Sequence, residues 1–188
     1  MKKETILFAV VALVVGVLVG VIFSNARKAD RSTSSAPIAS VPSVNSGQQM
    51  TMLEGIVAKD PTNRNAWVQL GNAYFDSNQP MKSIDAYDKA LAINANDPNV
   101  LTDQGIMFRK VGWFDKAVTV FQQASKVDSR HAQSLFNLGV VYRYDLQDYA
   151  KAKETWENYL KINSSGPGAD QVRAELDFLN SQPMSGAK

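Results

Sequence analysis

Glycine returns at Gly71, Gly105 and Gly139, two steps of 34 residues, and each stands inside the same local pattern. Around the first, the chain reads Trp67-x-x-Leu70-Gly71-x-x-Tyr74, followed by Ser83, Tyr87 and Ala90 at the spacing of one helix face. The second unit repeats this as Leu101, Gly105 and Phe108, then Ala117, Phe121 and Ala124. The third reads Leu135, Leu138, Gly139 and Tyr142, then, one residue late, Ala152, Trp156 and Tyr159. Self-similarity at this period means stacked helix pairs, each needing its neighbours to bury its apolar face. Where the first helix of a pair crosses the second, a side chain would hold the two apart, and glycine removes it. The large residues Trp67, Tyr74, Tyr87, Phe108, Phe121, Tyr142 and Trp156 are then expected to fill the layers between helices. Ala90, Ala117, Ala124 and Ala152 allow close approach.

The unit resembles the tetratricopeptide repeat, with W-x-x-L-G-x-x-Y in its first helix and small, aromatic, small positions in its second. That resemblance implies an all-α solenoid of three helix-turn-helix repeats, residues 64–97, 98–131 and 132–166. Their helix starts are marked by Asn63, by Asp97 ahead of Pro98, and by Ser129. Residues 48–63 carry Leu53 and Ile56 and close on Asp60-Pro61, which reads as a half-repeat capping the amino-terminal end. Residues 167–188 read as a carboxyl-terminal cap helix and tail, with Val172, Leu176 and Leu179 on one side. Solenoid ends need such polar-backed caps, because the last repeat otherwise leaves its apolar face in water. The chain departs from the family at position 32 of the unit, where Ala95 and Ser129 replace the usual proline. A further departure is the third repeat's extra residue, expected in the turn from Tyr144 to Tyr149.

Ile6 to Phe23 is an unbroken run of 18 uncharged residues. As a helix it spans about 27 Å, close to the ~30 Å hydrocarbon core of a bilayer. Lys2 and Lys3 precede it and Arg27, Lys28 and Arg31 follow, so residues 1–24 read as a tail and one transmembrane anchor. Ser24-x-Ala26 resembles a cleavage site, which makes a cleaved secretory signal the competing reading; the apolar run exceeds the usual signal length, favouring the anchor. Either reading exports the rest, and a short amino-terminal tail retained inside would place the repeats in a bacterial periplasm on a single-pass inner-membrane protein. Gly16 and Gly20 form a small-x-x-x-small pair that can pack two such helices as a weak homodimer. Residues 25–47, rich in Ser, Ala and Pro, read as a flexible tether.

Composition narrows the chemistry further. Setting aside Lys2, Lys3, Arg27, Lys28, Arg31, Glu4 and Asp30 leaves 15 of the 20 basic and 16 of the 18 acidic residues, a near-neutral remainder that offers no nucleic-acid footprint. With no cysteine and one histidine, no disulfide, thiolate metal site or His/Cys ligand cluster can be assembled and no run matches a calcium loop, so neither a metal, a cofactor nor a catalytic set is expected. His131 reads as a solvated residue at a helix start. Gly166-Pro167-Gly168 lacks the Lys-Ser/Thr of a phosphate loop and reads as a turn. Asp85 with Asp88 and Glu154 with Glu157 read as solvated surface.

What remains is a binding face. In the family resembled here, the first helices line a concave groove for an extended or helical peptide. Mapped onto this chain, the groove positions are Asn65, Val68, Asn72, Phe75 and Asp76 in the first repeat, and Asn99, Thr102, Ile106, Arg109 and Lys110 in the second. Gln133, Phe136, Val140, Arg143 and Tyr144 come from the third. The amides can pair with peptide backbone in either direction, and Arg109, Lys110 and Arg143 offer a basic end for carboxylates. The resemblance thus implies a non-enzymatic, membrane-tethered scaffold for a peptide or protein partner. Members that grip a Glu-Glu-Val-Asp tail do so with lysines, asparagines and an arginine; here Val68, Asp103, Gln133 and Asn137 stand at those positions and only Asn72 agrees. Two alternatives stay open: an accessory role in c-type cytochrome maturation, presenting apocytochrome, and a structural protein whose repeats stack end to end.

Overall fold

The computed structural model describes residues 46–181, and every regular element among them is helical. The run from Ile6 to Phe23, with Gly16 and Gly20, lies outside these residues. No described helix is long and apolar enough to cross a membrane.

Five of the eight described α-helices begin on a capping side chain or a proline. Helix α1 (Ser46–Lys59) is followed by α2 (Arg64–Asp76), whose first turn is capped by Asn63: its Oδ1 accepts from the Ala66 N–H at 3.0 Å. Helix α3 (Pro80–Ile93) opens on proline, whose missing N–H would have been unpaired in the first turn anyway. Helix α4 (Pro98–Lys110) combines both devices, with Asp97 Oδ1 accepting from Asn99 N–H at 3.0 Å and Val100 N–H at 3.1 Å. Helix α5 (Phe114–Val127) precedes α6 (Ala132–Val140), which continues through a π-helical turn, Val141–Asp145. Asp148 caps α7 (Tyr149–Ile162), and α8 (Pro167–Ser181) ends the described chain.

Two starts and one buried face differ from expectation. Ser46 and Gly47 belong to the first turn of α1, not to the tether. In α1 the buried residues are Leu53 and Val57, one turn apart, with Ile56 only half-buried. At the third repeat the capping position falls to His131, because Asp128–Arg130 forms a side-chain-closed turn in which Asp128 Oδ1 accepts from Arg130 N–H at 2.9 Å; Ser129 caps nothing.

The pairs α2–α3, α4–α5 and α6–α7 are the repeats, each packing on the next, with α1 against α2 and α8 against α7. At every crossing the glycine of the first helix lies under the aromatic residue of the second: Gly71 under Tyr87, Gly105 under Phe121, Gly139 under Trp156. These three rings are at most 1% exposed, and Ala90, Ala117, Ala124 and Ala152 are fully buried. Burying one such side chain contributes about 1.5–3 kcal/mol. Trp67 departs from the aromatic series: it is half-buried, its indole N–H donating to Pro61 O at 2.9 Å. Helix α8 covers the open end with Ala169, Val172, Leu176 and Leu179.

Candidate functional site

The first helices α2, α4 and α6 share a face whose floor is apolar. Val68, Phe75, Ile106, Phe136 and Val140 are half-buried and pack onto the core. Above them Asn65, Asn72, Asn99 and Gln133 are exposed. Two of these amides are held from behind. Tyr87 Oη donates to Asn72 Oδ1 at 2.8 Å, which leaves the NH2 end of that amide to face outward. Asn99 Oδ1 stands 3.1 Å from His131 Nε2, so the histidine read as solvated instead bridges α6 to α4.

Thr102 does not reach this surface. It is 1% exposed, with its hydroxyl 3.5 Å from His131 Nδ1, because the start of α6 covers the fifth position of α4. The three expected cations also have different fates. Arg109 pairs through its Nε and Nη2 with the Asp145 carboxylate. Arg143 lies 3.6 Å from Glu175 and is only 15% exposed, its guanidinium 5.0–5.2 Å from the rings of Tyr144, Tyr149 and Phe178. Tyr144 is 51% exposed, yet its hydroxyl donates to Glu175, and desolvation together with that carboxylate pushes the phenol up to about 12. Only Lys110 is exposed with no ion pair among the described residues.

Asp103, one position beyond Thr102 and named above only as a departure from the tail-binding positions, has a burial that the spacing did not foretell. Its half-buried carboxylate accepts no hydrogen bond among the described residues. Desolvation, reinforced by Asp97 and Asp76, pushes its pKa up to about 6. A carboxyl raised in the folded state adds stability that is fully present below about pH 4 and is lost as pH rises through about 6. Asp103→Asn is therefore expected to be more stable than the unmutated chain at pH 7.5 by about 1–2 kcal/mol, the advantage closing towards pH 4. Thermal melts across that range check it; a constant offset at all pH values would refute the burial argument. The groove also borders Asp97, held in the opposite sense: burial opposes its ionisation, but the Val100 and Asn99 N–H groups and Arg64 outweigh that and lower its pKa.

His131 lies against Asn99 and Thr102. Among the described residues no cluster of three His, Cys, Asp or Glu could hold a metal. The face offers amide hydrogen bonds above apolar shelves.

Antiparallel helix pairs stacked at a 34-residue pitch, with a polar-rimmed face on the first helices, define an α-solenoid repeat protein. The chain belongs to the tetratricopeptide repeat family, whose models match residues 65–97 and 102–170. The heat-shock protein cognate co-chaperone sgt12 of Aspergillus fumigatus is 30% identical over 107 residues, 57% of this chain and 31% of that protein, so this chain spans about a third of that relative's length. The crystal structure of MamA superposes with a TM-score of 0.65 at 20% identity, covering 71% of this chain and 77% of that one. The first repeat domain of Spaghetti (RPAP3), solved bound to the HSP90 peptide SRMEEVD, gives 0.58 at 20% identity, covering 65% and 97%.

Proposed function

We propose that this chain is a non-enzymatic scaffold that holds a peptide segment of a protein partner on the face formed by α2, α4 and α6, tethered to a membrane by residues 6–23. The observation that carries the reading is the row of exposed amides, Asn65, Asn72, Asn99 and Gln133, above an apolar floor on three successive first helices. Amides both donate and accept, so they suit a backbone whose direction is not otherwise specified. A relative named as a co-chaperone and a fold neighbour solved with a bound peptide support the same use.

A photo-crosslinking residue at Gln133 or Asn65 is expected to capture one and the same partner, while the same residue at exposed Lys89 on α3 captures none. Equal capture from Lys89 would remove the groove assignment.

The 18 uncharged residues between basic flanks support the anchor, with Gly16 and Gly20 available for helix pairing, and the tether gives the repeats a local volume to search. Our reading places the repeats on the periplasmic side of a bacterial inner membrane. Since the chain has no cysteine, Ser181→Cys introduces a single thiol. It should react with a membrane-impermeant maleimide in cells whose outer membrane is permeabilised; labelling only after lysis would put the repeats on the other side.

A further inference from the structure

Between the end of α4 and the π turn lies a cleft of about 450 Å3, lined by Ile106, Arg109, Lys110, Gly112, Phe114 and Asp145. Two repeats close their first helices alike: Gln79 N–H donates to Tyr74 O and Trp113 N–H to Phe108 O, both at 2.8 Å, around left-handed Asn78 and Gly112. The third repeat spends one more residue. Leu146 N–H reaches Val141 O at 3.0 Å, Asp148 N–H reaches Tyr142 O at 2.8 Å, and the left-handed residue is Gln147. The extra residue expected in the following turn is thus taken up inside the helix, as a π turn. Its effect is to bring Asp145 against Arg109 of the preceding repeat, so the cation on the cleft wall is already paired from within the chain.

We infer that the inserted residue sets ligand charge: Asp145 takes the place on Arg109 that a ligand carboxylate would occupy, and this end of the groove excludes acidic segments. The inference rests on the groove reading above. An incoming carboxylate has to displace a partner held at high effective concentration, and it leaves Asp145 as an unpaired like charge beside it. Exclusion of this kind is a difference between affinities achieved by repulsion, which a one-residue insertion supplies without any new pocket. Lys110 alone cannot offset it, being an exposed cation with no second group to fix a carboxylate's geometry.

The probe is the acidic peptide SRMEEVD, labelled, titrated into the full chain and followed by fluorescence anisotropy. Asp145→Asn is expected to bind it about tenfold or more tightly than the unmutated chain. Adding Arg109→Gln should remove the gain, and Asp170→Asn, a surface carboxylate 73% exposed on α8, should give none. No gain in Asp145→Asn, a gain that survives Arg109→Gln, or one matched by Asp170→Asn would overturn the inference. The groove reading fails by a different result, capture of the partner from Lys89 as readily as from Gln133 in a chain that keeps Asp145.

Discussion

Gly139→Ala is expected to cost about 3 kcal/mol or more and to lower the melting temperature by roughly 10 °C. A Cβ there would stand well under 3.0 Å from Nε1, Cδ1 and Cε2 of Trp156. That indole has nowhere to go: it is 1% exposed and its N–H donates to Phe136 O at 3.2 Å, across the same helix crossing. The clash can be relieved only by separating α6 from α7, which loosens Ala152 and Tyr159 as well. Gly71→Ala and Gly105→Ala meet Tyr87 and Phe121 in the same way. Gly55 provides the contrast. It is exposed on α1 with nothing within 4 Å of an added Cβ, so Gly55→Ala should stabilise by about 0.5–1 kcal/mol through backbone entropy alone. Chemical denaturation of the two variants checks both signs; a Gly139→Ala chain as stable as the unmutated one would show that the crossing is slack.

The second large effect concerns the carboxyl-terminal cap. Arg143→Ala is expected to release α8 at a cost of about 2–3 kcal/mol, read as rapid hydrogen exchange confined to residues 167–181 while α2 to α5 stay protected. Arg143 joins the π turn to α7 and α8 at once, through Glu175 and Phe178 on α8 and Tyr149 at the start of α7. Removing it leaves Glu175 with the Tyr144 hydroxyl but no counter-charge, and loosens the seat of Val172, Leu176 and Leu179. Arg143→Lys should recover only part of the loss, because a compact, strongly hydrated ammonium cannot reach all three rings and the carboxylate as the broader guanidinium does. Unchanged exchange in α8 for Arg143→Ala would mean that the apolar face of α8 holds it unaided. The same contacts make charge reversal at Arg143 a poor probe of ligand binding, since it would set Glu against Glu175 and loosen the cap.

Both effects bear on what could be read before the structure. The crossing glycines, the rings above them and the alanines beside them were legible, because steric exclusion at a helix crossing acts on residue size and leaves its mark at a fixed period. Asn65, Asn72, Asn99 and Gln133 were legible for the same reason: a repeat phase fixes which side of a helix faces out. Thr102 was not, because its burial comes from the start of the next repeat, a contact that periodicity within one helix does not contain. The pairing of Arg109 and Arg143 was hidden more deeply. Asp145 reaches Arg109 only because the extra residue enters the helix instead of the turn, and Glu175 reaches Arg143 only through the seating of α8.

By itself, then, the sequence determined the repeat, its helix pairs, its packing layers and which side of the first helices is polar and exposed, since each follows from the sizes and spacing of side chains along one chain. Tertiary structure alone decided which charges on that face remain open. An ion pair depends on where two distant groups meet in space, and here a single residue's placement, in a π turn and not in a loop, set that meeting.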